Sequence, residues 1–472
     1  MSRARATLDL HVDVGGPRVR AGLEAALREA VRSGRLAPGT RLPSSRSLAA
    51  DLGVARNTVA GAYEQLVAEG WLVARHGSGT RVAPGAGGAA APGVASAGGA
   101  DPAPPPRPRH DLRPGSPDVA AFPRAAWLAA SRRALADAPF DALGYGDPRG
   151  RPELRAALAA YLARVRGVRV TPDRLVVCAG FTQGLAVLSR ALHDRGVRAL
   201  AAEDHGQPSH REVAAAAGLA IRTLAVDDDA GARTAGLAAT DAGAVLLTPA
   251  HQFPLGGVLA PGRRAAALDW AQATGGVVVE DDYDGEFRYD RQPVGAMQAL
   301  APERVVYAGT ASKTLAPGLR LGWLALPADL VAGVVAAKER DDRHSAVLDQ
   351  LTLARLIEGG GYDRHVRAVR LVYRRRRDRL LAALAREVPS VRPAGVAAGL
   401  HLVLELPAGV QEAAVVAGAA ARGLAVEGLA AYRATDADPR PPALIVGFGA
   451  PAQHEVTTAV ARLVAALRDA GC

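Results

Sequence analysis

Between Pro84 and Arg109 the chain is almost wholly Gly, Ala and Pro, and that stretch divides everything else. A composition without bulky apolar side chains cannot bury a core. It predicts a tether, flexible in its Gly/Ala half and stiffer where Pro102, Pro104, Pro105, Pro106 and Pro108 follow one another. Fully extended it reaches roughly 80–90 Å. At 472 residues the chain is too long for one core. The expected organisation is therefore an N-terminal domain over 17–83, a linker over 84–109 and a large domain over 110–472.

Composition narrows the classes. The formal charge of +10 points to a polyanionic partner, and the first 83 residues hold 12 arginines against 7 acids. Two cysteines, Cys178 and Cys472, cannot build a disulfide framework, so reduced thiols and a cytoplasmic location are expected. No apolar run approaches about 18 residues, and the opening Met-Ser-Arg-Ala-Arg is not a signal peptide.

In the first domain Val19, Leu23, Ala26, Leu27, Ala30 and Val31 fall on one helical face. A second, short helix starts at Pro43-Ser44-Ser45-Arg46 with Ser44 as N-cap and closes at Gly53. A third runs from about Ala55 to Glu69. Two strands follow, around His76-Gly77-Ser78-Gly79. Three helices and a hairpin spell a winged helix-turn-helix. Arg56, Asn57 and Thr58 would then enter the major groove at a helix N-terminus, with Arg46 placed for phosphate and Gly77 at the wing tip. A helical protein-interaction module with a solvated Arg face is the alternative.

Beyond residue 110, strands and helices alternate, which is the mark of an α/β fold. Only two of the 57 basic residues are lysines, Lys313 and Lys338. Arg never loses its proton in a protein, whereas a Lys with a lowered pKa can attack a carbonyl to form a Schiff base. Lys338, in Lys-Glu-Arg-Asp-Asp-Arg, reads as a solvated helix face. Lys313 follows an apolar strand and sits among small and hydroxylated residues. The turn Gly180-Phe181-Thr182 leads from a strand into a helix, which suits a phosphate. Glu280-Asp281-Asp282-Tyr283-Asp284 ends another strand and reads either as part of a site or as a solvated turn. Pyridoxal 5'-phosphate needs an amine for its aldehyde, a carboxylate for its ring nitrogen, a donor for its phenolate and a cradle for its phosphate. Lys313, Asp281 and Tyr283 suit the first three. Gly180, Phe181, Thr182, Thr310, Ser312 and Arg320 suit the last. No metal site is expected.

Two resemblances join these readings. The run Gly34 to Arg46, with Arg56-Asn57-Thr58-Val59 and Gly77-Ser78-Gly79-Thr80, resembles the GntR-type DNA-binding domain. That implies DNA contacts at Arg46, Arg56, Asn57, Thr58 and Gly77. Thr310-Ala311-Ser312-Lys313 with Arg320 resembles the fold-type I aminotransferase domain with its small C-terminal subdomain. The two together, with His251-Gln252-Phe253-Pro254 and Gly361 to Asp378, resemble the MocR family. The resemblance implies a pyridoxal-phosphate-binding transcriptional regulator, a domain-swapped homodimer, that senses the cofactor, an amine or an amino acid through a Lys313 aldimine. An active aminotransferase carrying a DNA-binding domain is the other reading. The sequence departs from the aminotransferase pattern at three places. Phe253 stands where an Asn is usual. Gln207 stands where an aromatic covers the cofactor ring, leaving His205 or His210 for that task. Ile445 stands where an Arg clamps a substrate carboxylate, with Arg433 the nearest substitute. Arg433 and His205 are thus the expected effector contacts.

Overall fold

The computed structural model describes residues 19–75, 79–86, 108–290, 294–434 and 440–472. The chain separates into two compact units, Met1–Pro106 and Arg107–Cys472. Most of the Gly/Ala/Pro stretch, 87–107, lies outside the described residues, as does the wing-tip residue Gly77.

In the first unit α1 (Val19–Arg32), α2 (Ser45–Leu52) and α3 (Arg56–Ala68) precede β1 (Leu72–Arg75) and β2 (Gly79–Val82), an antiparallel pair. The apolar periodicity read from the sequence becomes a core of Leu23, Leu27, Leu48, Val59, Leu66 and Leu72. Ser44 caps α2 by accepting from the Ser47 N–H at 3.1 Å, and Gly53 ends it at φ 65°. Tyr63 donates to the Pro43 carbonyl at 3.0 Å, tying α3 to the start of α2. Arg28 clasps Glu69 through two hydrogen bonds of 2.7 and 2.8 Å, which fixes α1 to the end of α3.

The second unit is built on a seven-stranded sheet. Its strands are β3 (Leu175–Cys178), β4 (Ala199–Glu203), β5 (Ala220–Leu224), β6 (Ala244–Leu247), β7 (Val277–Asp282), β8 (Val305–Thr310) and β9 (Gly322–Ala325). Their spatial order is β3-β9-β8-β7-β6-β4-β5. All pair in parallel except β9, which is antiparallel to both neighbours. Strands β3, β6 and β8 are buried along their whole length, as expected of a sheet covered on both faces. A smaller four-stranded sheet contains β10 (Arg392–Ala394), β11 (His401–Glu405), β12 (Glu427–Gly428) and β13 (Ala443–Gly447). It packs on a separate core that includes Leu402, Leu404, Leu444 and Val446.

One expectation about charge needs correction, and two further charged runs find buried partners. Lys338 is 0% exposed, not solvated; its ammonium donates to Asp342 at 2.7 and 2.8 Å and to Ser345 at 3.1 Å. Helical spacing places Asp342 one turn on, and that pairing offsets the cost of burial. The acidic run after β7 is no solvated turn either: Glu280, Asp281, Asp282 and Asp284 are all buried. Arg166 and Tyr307 both hydrogen-bond Asp282 Oδ2, at 2.6 and 2.8 Å, while Glu280 accepts from the Met297 and Gln298 N–H groups. Within the arginine-rich helix Gly361–Glu387, Arg376 is 2% exposed, pairs with Asp118 and donates to the Gly449 carbonyl.

Candidate functional site

The C-terminal ends of the parallel strands converge, as ligand sites of open α/β sheets require. β7 delivers Asp281 and, just past its end, Tyr283. β8 delivers Thr310, then Ser312 and Lys313. β3 leads through Gly180 into α6 (Phe181–Asp194). β6 leads into the loop holding His251 and Phe253, and β4 into Asp204 and His205.

Lys313 is half-buried, and its amine donates to the Gly115 carbonyl at 2.6 Å. Burial lowers its pKa, while the charges of Asp281 and Asp284 pull the other way. Asp281 is pushed well above the usual carboxylate range by burial first and by Asp282 second, with Lys313 opposing. Amine and carboxyl therefore sit in one desolvated space and feel each other's charge. Tyr283 shares it, since its phenol is raised by burial, by Asp284 and by Asp281.

The residues expected to cradle a phosphate bring together backbone and one guanidinium. Gly180 stands at φ 81° and ψ 173°, a region closed to other residues, and starts α6 without a capping side chain. A Cβ there would lie 2.9 Å from both terminal nitrogens of Arg320. Gly322 is equally constrained: a Cβ on it would lie 2.9 Å from the Gly180 carbonyl carbon. Arg320 is exposed and donates to the Ala179 carbonyl. The Thr310 hydroxyl donates to Ser312 Oγ at 2.9 Å and accepts from the Ser312 N–H at 3.1 Å. Gly180, at the start of the helix that carries Phe181 and Thr182, is thus close to Arg320, and Thr310 and Ser312 lie on the loop that carries Lys313.

The three departures from the aminotransferase pattern have structural counterparts. His210 lies against Phe181, ring centroids 4.7 Å apart, and its pKa is lowered to about 4 by burial and by the Lys313 charge. His210, one of the two rings proposed to cover a cofactor, feels the Lys313 charge. His205 is 1% exposed, holds Asp204 at 2.9 Å and forms a backbone bridge with Arg433. The two expected effector residues are therefore neighbours. Ile445 is 0% exposed and belongs to the core beneath the sheet, while Phe253 sets its ring edge-on to Tyr283, His401 and Tyr432.

One group was not legible in the sequence. His251, Asp284 and His401 are buried together, with ligand-type atoms within 4.8 Å of one another. His251 Nδ1 is engaged by Asp284 at 2.9 Å, and His401 Nε2 donates to the Pro254 carbonyl at 3.0 Å. Hydrogen bonds already use these atoms, so the group reads as a relay rather than a cation cage. No local pattern links a loop after β6 to a residue on β11. In the first unit Arg46, Arg56 and Asn57 are exposed and Thr58 is half-buried. Ala55 gives α3 no side-chain cap, which leaves its first N–H groups for a phosphate.

Residues 20–82 match the bacterial regulatory proteins of the gntR family, and residues 115–431 match the aminotransferases of class I and II. The chain is 34% identical over 430 residues to the HTH-type pyridoxine biosynthesis transcriptional regulator PdxR of Corynebacterium glutamicum, covering 90% of this chain and 91% of that protein. It is 36% identical over 375 residues to the probable rhizopine catabolism regulatory protein MocR of Rhizobium meliloti, covering 76% of each. Among solved structures it is similar to an archaeal alanine:glyoxylate aminotransferase, with a TM-score of 0.69 and 24% identity over 76% of this chain and 91% of that one. That likeness concerns the fold.

Proposed function

The chain belongs to the MocR/PdxR-type HTH transcriptional regulators, a gntR-family DNA-binding domain joined to an aminotransferase class I and II domain, and from that premise we propose that it binds pyridoxal 5'-phosphate at Lys313 and changes its hold on DNA when it does. What supports this reading is that neighbouring strand ends carry Asp281 and Tyr283 on one side and Lys313 on the other, with Gly180 packed close to Arg320. When bound, the cofactor supplies an aldehyde that captures amines and a ring that accepts electrons. The residues of this chain do the rest. Lys313 provides the amine, kept nucleophilic by burial. Asp281 holds the ring nitrogen and Tyr283 donates to the phenolate. Arg320, the N–H groups of Phe181 and Thr182, and the hydroxyls of Thr182, Thr310 and Ser312 hold the phosphate, and Gly180, whose own N–H is given to the Cys178 carbonyl, lets it approach the backbone closely.

The first effector to test is the cofactor itself, because one relative is named for pyridoxine biosynthesis. An amine or amino acid reaching Arg433 and His205 is the second. DNA is held through Arg46, Arg56, Asn57, Thr58 and Gly77. The working form is a cytoplasmic homodimer, domain-swapped through the 84–109 tether. Support for pairing comes from one stretch of chain that leaves Leu128, Leu135, Phe140, Leu143 and Tyr145 exposed, Phe140 at 99%. No helix of the described residues is long and apolar enough to cross a membrane.

The deciding experiment measures binding to DNA from upstream of the chain's own gene, with and without pyridoxal phosphate, alongside the visible absorbance of the loaded protein. A change in affinity that disappears in Lys313→Ala is expected. No absorbance and no change in affinity would overturn the reading. The alternative, a working aminotransferase, is weakened by Ile445, whose buried side chain can clamp no carboxylate. Steady conversion of an amino acid and a keto acid would restore it.

A further inference from the structure

Tyr283 is not free to point its proton anywhere. Its oxygen lies 3.1 Å from His251 Nδ1, and the same nitrogen lies 2.9 Å from Asp284 Oδ2. A carboxylate only accepts, so Nδ1 carries the proton and gives it toward Asp284. The Tyr283 oxygen then meets an N–H, and the phenol cannot donate to it. Its own proton is left two directions: toward Asp284, which also hydrogen-bonds the phenol but is already engaged by His251, or into the space beside Asp281, where a bound cofactor phenolate would accept it.

The surroundings are cut to hold this arrangement. His251 and Asp284 are 3% and 2% exposed. A Cβ on Gly399 would stand 2.2 Å from His251 Cε1 and 2.4 Å from Asp284 Oδ2, so only glycine lets the pair close. His401 covers the other side, ring centroids 4.9 Å away, and its Nε2 is tied to the Pro254 carbonyl. Burial and the neighbouring His251 keep His401 neutral, with a pKa lowered to about 3. The ionisable groups facing this cluster are Asp281, Asp284, Glu203 and Lys313. Phe253, at the place where an amide would be a second donor, offers only a ring edge.

We propose that His251 is a positioning residue: held in one tautomer by Asp284, it occupies the acceptor side of the Tyr283 oxygen and turns the phenolic proton toward the cofactor phenolate. This rests on the cofactor reading above and extends it to a residue that touches no cofactor atom. A donor on the phenolate favours its ionised form. Losing it raises the pH at which the bound chromophore gives up its proton.

The test is a pH titration of visible absorbance in the full chain loaded with pyridoxal phosphate. Tyr283→Phe is expected to raise the midpoint by about one pH unit, the scale of one hydrogen bond made to a single charge state. His251→Ala should raise it by most of that amount. His251→Asn, whose amide N–H can take the place of Nδ1–H, should restore much of the loss. The double variant His251→Ala/Tyr283→Phe should match Tyr283→Phe alone, because the histidine acts only through the phenol. An unmoved midpoint in His251→Ala, or a double variant showing the sum of both shifts, overturns the proposal. Should His251→Ala not fold, Asp284→Asn takes its place: a smaller shift of the same sign is expected, and an unmoved midpoint overturns it. If the unaltered protein takes up no cofactor, the functional reading falls with the proposal. If it loads normally and only the shifts are missing, the proposal falls alone.

Discussion

Gly180→Ala tests directly whether the turn after β3 serves a phosphate. The backbone at Gly180, φ 81° and ψ 173°, belongs to a region that costs a residue with a side chain about 1–3 kcal/mol. The new methyl would stand 2.9 Å from both terminal nitrogens of Arg320. That guanidinium is the exposed end of a flexible side chain, so it swings away and adds little to the folding cost. The loss falls on the ligand. Charge-assisted hydrogen bonds from Arg320 to a phosphate are worth about 1.5–3 kcal/mol, so cofactor affinity should drop about ten- to hundred-fold. The assay is a titration with pyridoxal phosphate followed by visible absorbance, with a thermal melt of the same samples. Gly318→Ala is the control, since a Cβ there meets open space. Arg320→Gln should reproduce the affinity loss without the strain, and combining it with Gly180→Ala should add little. Unchanged affinity in Gly180→Ala would refute the assignment of this turn to the phosphate.

Four further outcomes follow from the same geometry. Lys313→Ala should abolish covalent capture of the cofactor and leave the melting temperature near its original value, whereas Lys338→Ala should lose about 3 kcal/mol of stability and still take up cofactor, because it strips a buried pair. Glu203 is raised to about 7 by burial, so its contribution to stability is complete below its unfolded pKa near 4.5 and is lost as pH rises through about 7. Glu203→Gln should therefore melt like the parent at about pH 5 and higher than it at about pH 8.5, by up to about 3 kcal/mol; equal melting at both pH values would contradict the assignment. Arg46→Ala and Arg56→Ala should each reduce the salt dependence of DNA binding by about one unit of slope, measured by anisotropy at several salt concentrations. Sedimentation of a Phe140→Asp variant should show dissociation if the exposed 128–145 stretch is where two copies meet, and an unchanged dimer would place the contact elsewhere.

What the sequence revealed and what it hid divide along a physical line. The helices of the first unit were legible because each carries a local signal: the 3.6-residue apolar period of α1, the Ser44 cap, and Gly53 as the stop of α2. The strand ends that carry Asp281 and Lys313 were legible for the same reason, each closing an apolar run. Charge was misread where burial depends on a pairing that the local pattern does not announce. Arg376 looks like its neighbours in Arg374–Arg377, and nothing in that run announces that Asp118 will meet it. Lys338 looked solvated because its partner Asp342 also looked solvated; two charges one helical turn apart can sink together once each satisfies the other. The His251–Asp284–His401 group is the extreme case, assembled from a loop, the end of a strand and a second sheet. His251 and Asp284 each stand in a run the sequence marks, but nothing local pairs them, and Gly399, which lets them close, reads as an ordinary turn residue until a Cβ is placed on it. Pairings between distant elements thus decide which charges of this protein are buried, and the residues that place the proton of Tyr283 belong to that class. A variant scan guided by side-chain chemistry alone would alter Lys313, Asp281 and Arg320; the motif marks His251 but not its tie to Asp284 and Tyr283, on which the placing of the phenol depends.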